Sequence, residues 1–400
     1  MTEKSMIQIL VIEDNPSMLK LLQYMLGNIG YDQVTICSSG QEGLIWLESV
    51  DDTQTIILLD LNMSKMDGIE FVRHLANRQF KGHVLLLSGE DERIRETVHK
   101  LITNYKIASL GHLHKPVNLE LLSLKLEKWR QFQPKESITN KKQYSANELR
   151  SAIANHELIN YYQPQVDVKS TKVVGVESLV RWYHPVDGII FPDQFIHIAE
   201  THGLIDDLTR AVIKAAFTQT KAWQKSGLKL QVAINISMDN FADLDFADYL
   251  LNATVNADIM PSDIVLEITE SKLMTSSSIS MEVLTRLRIH RFSLSIDDFG
   301  TGHSSLSQLC NIPFNELKID QSFVHDIINN ETQRAIFNAS LGLTKQLGMK
   351  SVAEGVEDKV DWTFLRSTDC DIAQGYFIAK PMPAEDIYPW IIKWEAAHHL

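Results

Sequence analysis

Short apolar segments in the second half of the chain carry an oxygen-bearing side chain one after another: Glu177 in VVGVES, Asn235 in LQVAINIS, Glu267 in DIVLEITE, Asp297 and Asp298 in SLSIDDFGTG, and Glu354 in MKSVAEGVE. Each segment is β-branched and brief, as buried strands are, and each is expected to stop at its oxygen ligand. A (β/α)8 barrel gathers the carboxyl ends of its strands on one rim, so residues far apart in sequence would meet there around one cation site. Hard oxygen donors in this number suit magnesium or manganese better than zinc. Asp297 and Asp298 before FGTG could instead cap a helix, but a cap needs neither a second acid nor matching ligands on other segments.

The first half carries a second constellation. Glu13 and Asp14 follow IQILVI, Asp60 ends TIILLD, Ser88 ends HVLLLS, and Lys115 precedes Pro116. Each residue alone has an ordinary use as a turn former, a helix cap or a solvated cation. Together at neighbouring strand ends, three acids would repel one another unless a divalent cation sat among them. A lysine and a hydroxyl would then complete an anion pocket able to hold a phosphoryl group on an aspartate.

The elements that must position these groups follow from pattern. Four hundred residues exceed one ordinary domain and suit a domain of about 120 to 150 residues beside a barrel of about 250. Strands and amphipathic stretches alternate up to residue 128: IQILVI, a helix near 16–28, VTI, a helix near 40–47, TIILLD, a helix near 69–79, HVLLLS, a helix near 91–104, KIASL and a closing helix. That alternation predicts a doubly wound α/β domain with ligands at the carboxyl ends of its strands. Residues 129–147 are polar, contain Pro134 and read as a linker; Ser145 with Glu148 forms a capping box that restarts helix, and residues 148–400 form the second domain.

A 44% apolar content supplies two cores, and a formal charge of −13 without a basic run argues against a DNA-binding surface. Cys37, Cys310 and Cys370 form no CxxC pair, which favours a reducing compartment. With no signal-like or membrane-spanning apolar run, the expected location is the cytoplasm, without membrane insertion. His184, His197 and His202 lack metal-ligand spacing and read as surface or core groups.

The motifs IEDNPSM, LLDLNMSKMDG, LLLSG and HKP resemble the flavodoxin-like receiver domain of two-component response regulators over residues 1–128. The resemblance implies that Glu13, Asp14 and Asp60 hold magnesium and that Asp60 is the phosphoacceptor. Ser88 and Lys115 would contact the phosphoryl oxygens, and a sensor histidine kinase or another phosphodonor is the implied partner. The aromatic switch position falls on His112.

The second half is similar to the EAL family of cyclic di-GMP phosphodiesterases, a modified TIM-type barrel. The match rests on YYQP at 161, ESLVRW at 177, NIS at 235, EITE at 267, DDFGTG at 297, LKID at 317, AEGVE at 353 and QGYFIAKPMP at 374. Ser178 replaces the alanine of the signature, and His303 stands where tyrosine is usual.

By resemblance, Glu177, Asn235, Glu267 and Asp297 hold a first magnesium or manganese ion, and Asp297 with Asp298 contributes to a second. Glu354 is the general base or the ligand that orients the attacking water. Lys318 assists the water or stabilises developing charge, and Asp320 orients Lys318. Gln163, Leu179, Arg181, Glu357 and Gln374 contact substrate, Glu270 holds the DDFGTG loop, and the chain forms a homo-oligomer. Two divalent cations about 3.5 to 4 Å apart suit such a diester, activating water on one side of phosphorus and stabilising the leaving oxygen on the other. The expected function is hydrolysis of cyclic di-GMP to linear pGpG, modulated by phosphorylation of Asp60; the alternatives are a non-catalytic cyclic di-GMP sensor or a protein-interaction scaffold.

Overall fold

The computed structural model describes residues 7–89, 97–98, 101–132, 144–270, 278–301 and 312–398. Pro134, His303, Cys310 and part of the helix expected at 91–104 lie outside the described residues. The chain divides into two compact units, Met1–Ile138 and Thr139–Leu400.

In the first unit, strands β1 (Gln8–Ile12), β2 (Val34–Cys37), β3 (Thr55–Asp60), β4 (His83–Ser88) and β5 (Ala108–His114) form a parallel sheet in the order β2-β1-β3-β4-β5. Their unbroken apolar runs make sense because both faces are covered. Leu10, Ile12, Ile57, Leu59 and Leu86 enter one core, while Ile9, Val11, Ile56, Leu58 and Leu85 enter the other. Helices Pro16–Asn28, Gly40–Leu47 and Gly68–Asn77 start at the caps Asn15, Ser39 and Asp67. The last strand differs from expectation. It runs on through GHLH instead of stopping at Leu110, because a register shift opposite Val84/Leu85, with Gly111 at φ +93°, absorbs the extra residue.

The second unit is a closed barrel. Its strands are β6 (Leu158–Asp167), β7 (Val173–His184), β9 (Gln231–Asn235), β10 (Ile264–Thr269), β11 (Ser293–Phe299), β12 (Glu316–Ile319), β13 (Lys350–Ala353) and β14 (Ile372–Ala373), with the short β8 (Gly188–Ile190) appended to β7. Strand β6 closes the ring by pairing antiparallel with both β7 and β14, and β7 with β9 through β14 are parallel in turn. One reversed strand makes this a modified (β/α)8 barrel. The helix Ile205–Lys225 buries Leu208, Val212, Ile213, Ala216, Phe217 and Trp223 in the core around it. Ser145 and Glu148 form the capping box at the first helix of the unit.

The segments do not all stop at their ligands. Strand β7 passes through Glu177 to His184 because β6 keeps pairing with it as far as Leu158 opposite Trp182, and β8 pairs beyond. Glu267 likewise lies inside β10, and Asp297 and Asp298 inside β11. Among the described residues no helix is long and apolar enough to cross a membrane.

Candidate active site

Lys318 on β12 is 1% exposed and stands at the centre of the barrel rim. Its Nζ lies 2.9 Å from Glu354 Oε1, 3.0 Å from Asp297 Oδ1, 3.1 Å from Glu267 Oε2 and 3.4 Å from Glu177 Oε2. Burial alone would lower the lysine pKa, but Asp297, Glu177, Glu267 and Glu354 raise it well above the ordinary value, so the ammonium stays charged. One cation thus faces four carboxylates.

The acids are held unequally. Burial raises the Glu177 pKa, yet Lys318, Gln374 and Asn235 more than compensate and keep it below the usual carboxylate range. Asn235 Nδ2 donates to Glu177 Oε1 at 2.7 Å, and Gln374 Nε2 donates to Glu177 Oε2. Glu267 has no such donors. Both its oxygens are buried without a hydrogen bond, and burial, followed by Glu177, pushes its pKa well up. Glu354 is pushed up to about 8 by burial, against the pull of Lys318. Asp298 is pushed up to about 6 by burial and by Asp297 and Asp320.

Consecutive strand residues ordinarily point to opposite faces. Asp297 and Asp298 escape this because β11 changes register between Ile296 and Phe299 and Asp298 adopts φ +58°. The irregularity brings carboxylate oxygens of Asp297, Asp298 and Glu354 within 4.8 Å of one another. This all-oxygen set, with the Glu267 carboxylate near it paired to Lys318 and otherwise without a hydrogen bond, fits a hard divalent cation.

A cavity of about 300 Å³ opens beside these acids, lined by Gln163, Glu177, Leu179, Asp298, Asp320, Glu354, Glu357, Gln374 and Tyr376 among others. Leu179 also lines a second, mainly apolar cavity of about 280 Å³ with Ile196, Ile205 and Leu208. Both glutamines line the cavity and also carry internal hydrogen bonds: Gln163 donates to Ala379 O at 3.0 Å, and Gln374 donates to Gln163 Oε1 and to Glu177. The Gln374 amide thus braces Glu177 from inside the protein, and Gln163 accepts from it in turn. Gln165, which the sequence did not single out, donates to Gln374 Oε1 at 3.0 Å and completes the chain.

Arg181 is buried. It donates to Val180 O at 2.9 Å, lies over the Phe191 and Tyr161 rings at 5.0 and 5.8 Å, and is not among the lining residues of either cavity. Asp320 accepts from Ser322 N at 2.9 Å and caps the turn Gln321–Phe323, so its oxygen is engaged there and not in an ion pair with Lys318. Glu270 Oε2 accepts from Gly300 N at 2.8 Å.

The first unit has its own acidic site, in which Glu13, Asp14 and Asp60 bring ligand oxygens within 4.8 Å. Lys115 Nζ lies 2.6 Å from Glu13 Oε2 and 2.8 Å from Asp60 Oδ2. Burial would lower the lysine pKa, but hydrogen bonds to Asp60 and Glu13 raise it; burial raises Glu13 despite Lys115. Ser88 is buried at the end of β4, where its carbonyl accepts from Lys115 N at 3.1 Å. His112 sits inside β5, level with Leu86.

Residues 146–381 match the EAL domain family. The chain belongs to the EAL domain family. Ahead of that domain, residues 9–127 match the response regulator receiver domain. The cyclic di-GMP phosphodiesterase RocR of Pseudomonas aeruginosa is 32% identical over 383 residues, which cover 95% of this chain and 97% of RocR. The bifunctional diguanylate cyclase/cyclic di-GMP phosphodiesterase MucR of the same organism is 38% identical over 242 residues, 60% of this chain and 35% of MucR. Among solved structures, the PaMucR phosphodiesterase in its c-di-GMP complex aligns with a TM-score of 0.58 and 38% identity, over 60% of this chain and 98% of that one. The EAL barrel therefore carries the lysine-centred acidic site, and the receiver domain carries the Asp60 site.

Proposed function

We propose that this chain hydrolyses cyclic di-GMP to linear 5'-pGpG at the rim of its EAL barrel, and that phosphorylation of Asp60 in the receiver domain modulates the rate. In this reading residues 1–128 form the receiver, 129–147 the linker and 148–400 the phosphodiesterase. The observation that carries it is the meeting of Asp297, Asp298 and Glu354 beside Lys318, at the edge of a cavity lined by polar groups. RocR, which aligns with nearly the whole chain, bears the name of the same activity.

Glu177, Asn235, Glu267, Asp297 and Asp298 would hold two magnesium or manganese ions. Such ions supply Lewis acidity and water activated near neutral pH. Glu354, which meets Asp297 and Asp298 and lines the cavity, is placed to accept the proton of the attacking water. Lys318 holds Glu354 and Asp297 in one geometry before substrate arrives and offers positive charge to the transition state. Leu179 gives an apolar wall to a base, and the exposed Glu357 carboxylate can accept from a guanine edge. In the receiver, Asp60 is the carboxylate nucleophile toward a sensor kinase or a small phosphodonor, with Lys115 ready to pair with the phosphoryl oxygens. The same reading includes self-association of the chain, which sedimentation would measure.

The test is incubation of the purified full-length protein with cyclic di-GMP and magnesium or manganese, followed by chromatography for the linear dinucleotide. Binding without product would favour the sensor instead, and neither binding nor product would favour a scaffold.

A further inference from the structure

Two loops at the barrel rim are pressed together. In the loop after β13, Gly355 has φ +67°, and a methyl group there would land on the Gln321 side chain of the turn after β12. Gly300, beyond Asp297 and Asp298, has φ +99°, and a methyl there would come 2.7 Å from the Phe323 ring of that same turn. The turn after β12 is thus wedged between the segment bearing the aspartates and the segment bearing Glu354.

Behind this wedge lies Asp361, in the helix Lys359–Arg366 and only 1% exposed. It does not cap that helix; Asp358 does, accepting from Val360 N and Asp361 N. Asp361 Oδ2 is buried without a hydrogen-bond donor, and His325 Nδ1, on the turn after β12, stands 3.6 Å from it. The same His325 Nδ1 lies 3.8 Å from Glu357 Oε2. Burial, followed by Asp358, pushes the Asp361 pKa up. Asp326 adopts φ +57°, a backbone conformation unusual for an L side chain. Burying an acid this deeply costs stability unless partners hold it. The hydrolytic roles given above make no use of it.

We propose that Asp361 is a positioning residue of the barrel site: through His325, which stands between Asp361 and Glu357, it clamps the turn after β12 to the loop after β13 and so fixes Glu357 toward the substrate. The inference rests on the cyclic di-GMP phosphodiesterase reading and deepens it. Glu354 is anchored separately, since its N–H donates to Ile319 O at 3.1 Å, so loosening the clamp should disturb substrate binding more than proton transfer.

The experiment uses full-length protein carrying Asp361→Asn, Asp361→Leu, His325→Gln, or His325→Gln with Asp361→Asn. Steady-state rates with cyclic di-GMP and magnesium are paired with amide hydrogen exchange over residues 321–328 and 355–358. Asp361→Asn is expected to raise KM about fivefold with kcat within about twofold, on the scale of one weakened ion pair with a half-exposed partner. The double variant should add little to the larger single effect, since both residues act through one contact. Exchange in the two segments should rise together.

An unchanged KM, a loss of kcat alone, strictly additive effects, or exchange that rises in only one segment would each overturn the clamp. Should the parent show no hydrolysis, the functional reading fails by itself. The clamp is then judged by exchange: a joint rise in both segments supports it, and no joint rise overturns it. Asp361→Asn keeps the side-chain volume, so the test stands even if Asp361→Leu does not fold.

Discussion

Replacing Lys318 with methionine removes a cation that lies within 3.4 Å of four carboxylates while keeping most of the side-chain volume. Breaking a buried ion pair by deleting one partner costs about 3–5 kcal/mol, because the other charge is left uncompensated. For a domain of this size each kcal/mol moves the melting temperature by about 2–4 °C, so the barrel transition should fall by roughly 6–20 °C in EDTA. Calorimetry of the full chain would follow the barrel and receiver transitions separately, with the receiver as internal control. Adding magnesium should restore more stability to Lys318→Met than to the parent, since the ion supplies the missing charge.

The pH dependence has a definite sign. Glu354 binds a proton more tightly when folded, at about 8, than when unfolded, near 4.5. Stability of the metal-free barrel should therefore fall as pH rises through that window and level off above it. In Lys318→Met the fall should be steeper, because the carboxylates lose the charge that lets them ionise together. A barrel transition within about 2 °C of the parent in EDTA at pH 8, where at least 6 °C is expected, would refute the view that Lys318 holds the acids together.

Three further outcomes follow from the same geometry. Glu354→Gln should lose turnover by at least about a hundredfold while cyclic di-GMP binding by calorimetry persists, as the amide cannot take the proton; a parallel loss of binding would make Glu354 chiefly a metal anchor. Calcium should support nucleotide binding but little hydrolysis, because it takes more ligands at longer distances; equal turnover in calcium and magnesium would contradict the cation assignment. Acetyl phosphate should change the hydrolysis rate of the parent by about five- to 150-fold in either direction and leave Asp60→Asn unmoved. An unchanged parent rate, with Asp60 shown phosphorylated by mass, would mean that the receiver controls something other than rate.

The receiver fold was legible because both faces of its sheet are covered. Residues 8–12, 55–60 and 83–88 are therefore nearly continuous apolar runs, and each ends where its ligand begins. The barrel ligands were legible as residue types but not as positions along their strands. Nothing near Glu177 says that β7 continues to His184, because that follows from pairing with β6, which is set by the closed ring. The same holds for Asp298, whose side chain would have pointed away from Asp297 had β11 kept its register. Gln163 and Gln374 read from the sequence as ligand contacts because amides suit guanine edges, and both line the cavity. The Gln374 amide also donates to Glu177 and to Gln163 Oε1, and Gln165 donates to Gln374 Oε1, a chain that the antiparallel closure of β6 on β14 brings together. Alternation along β6 puts Gln163 and Gln165 on one face, a signal that could have paired them.

The two acidic sites share one electrostatic plan. In each, a single lysine stands among more carboxylates than it can neutralise: Lys115 among Glu13, Asp14 and Asp60, and Lys318 among Glu177, Glu267, Asp297 and Glu354, with Asp298 close by. The lysine offsets part of the repulsion among the carboxylates around it. It leaves an excess of negative charge, and burial, followed by neighbouring carboxylates, raises the pKa of Glu13, Glu267, Asp298 and Glu354. Protons relieve that excess at low pH, and a divalent cation relieves it more fully near neutrality, so cation binding in both domains should release protons and tighten as pH rises.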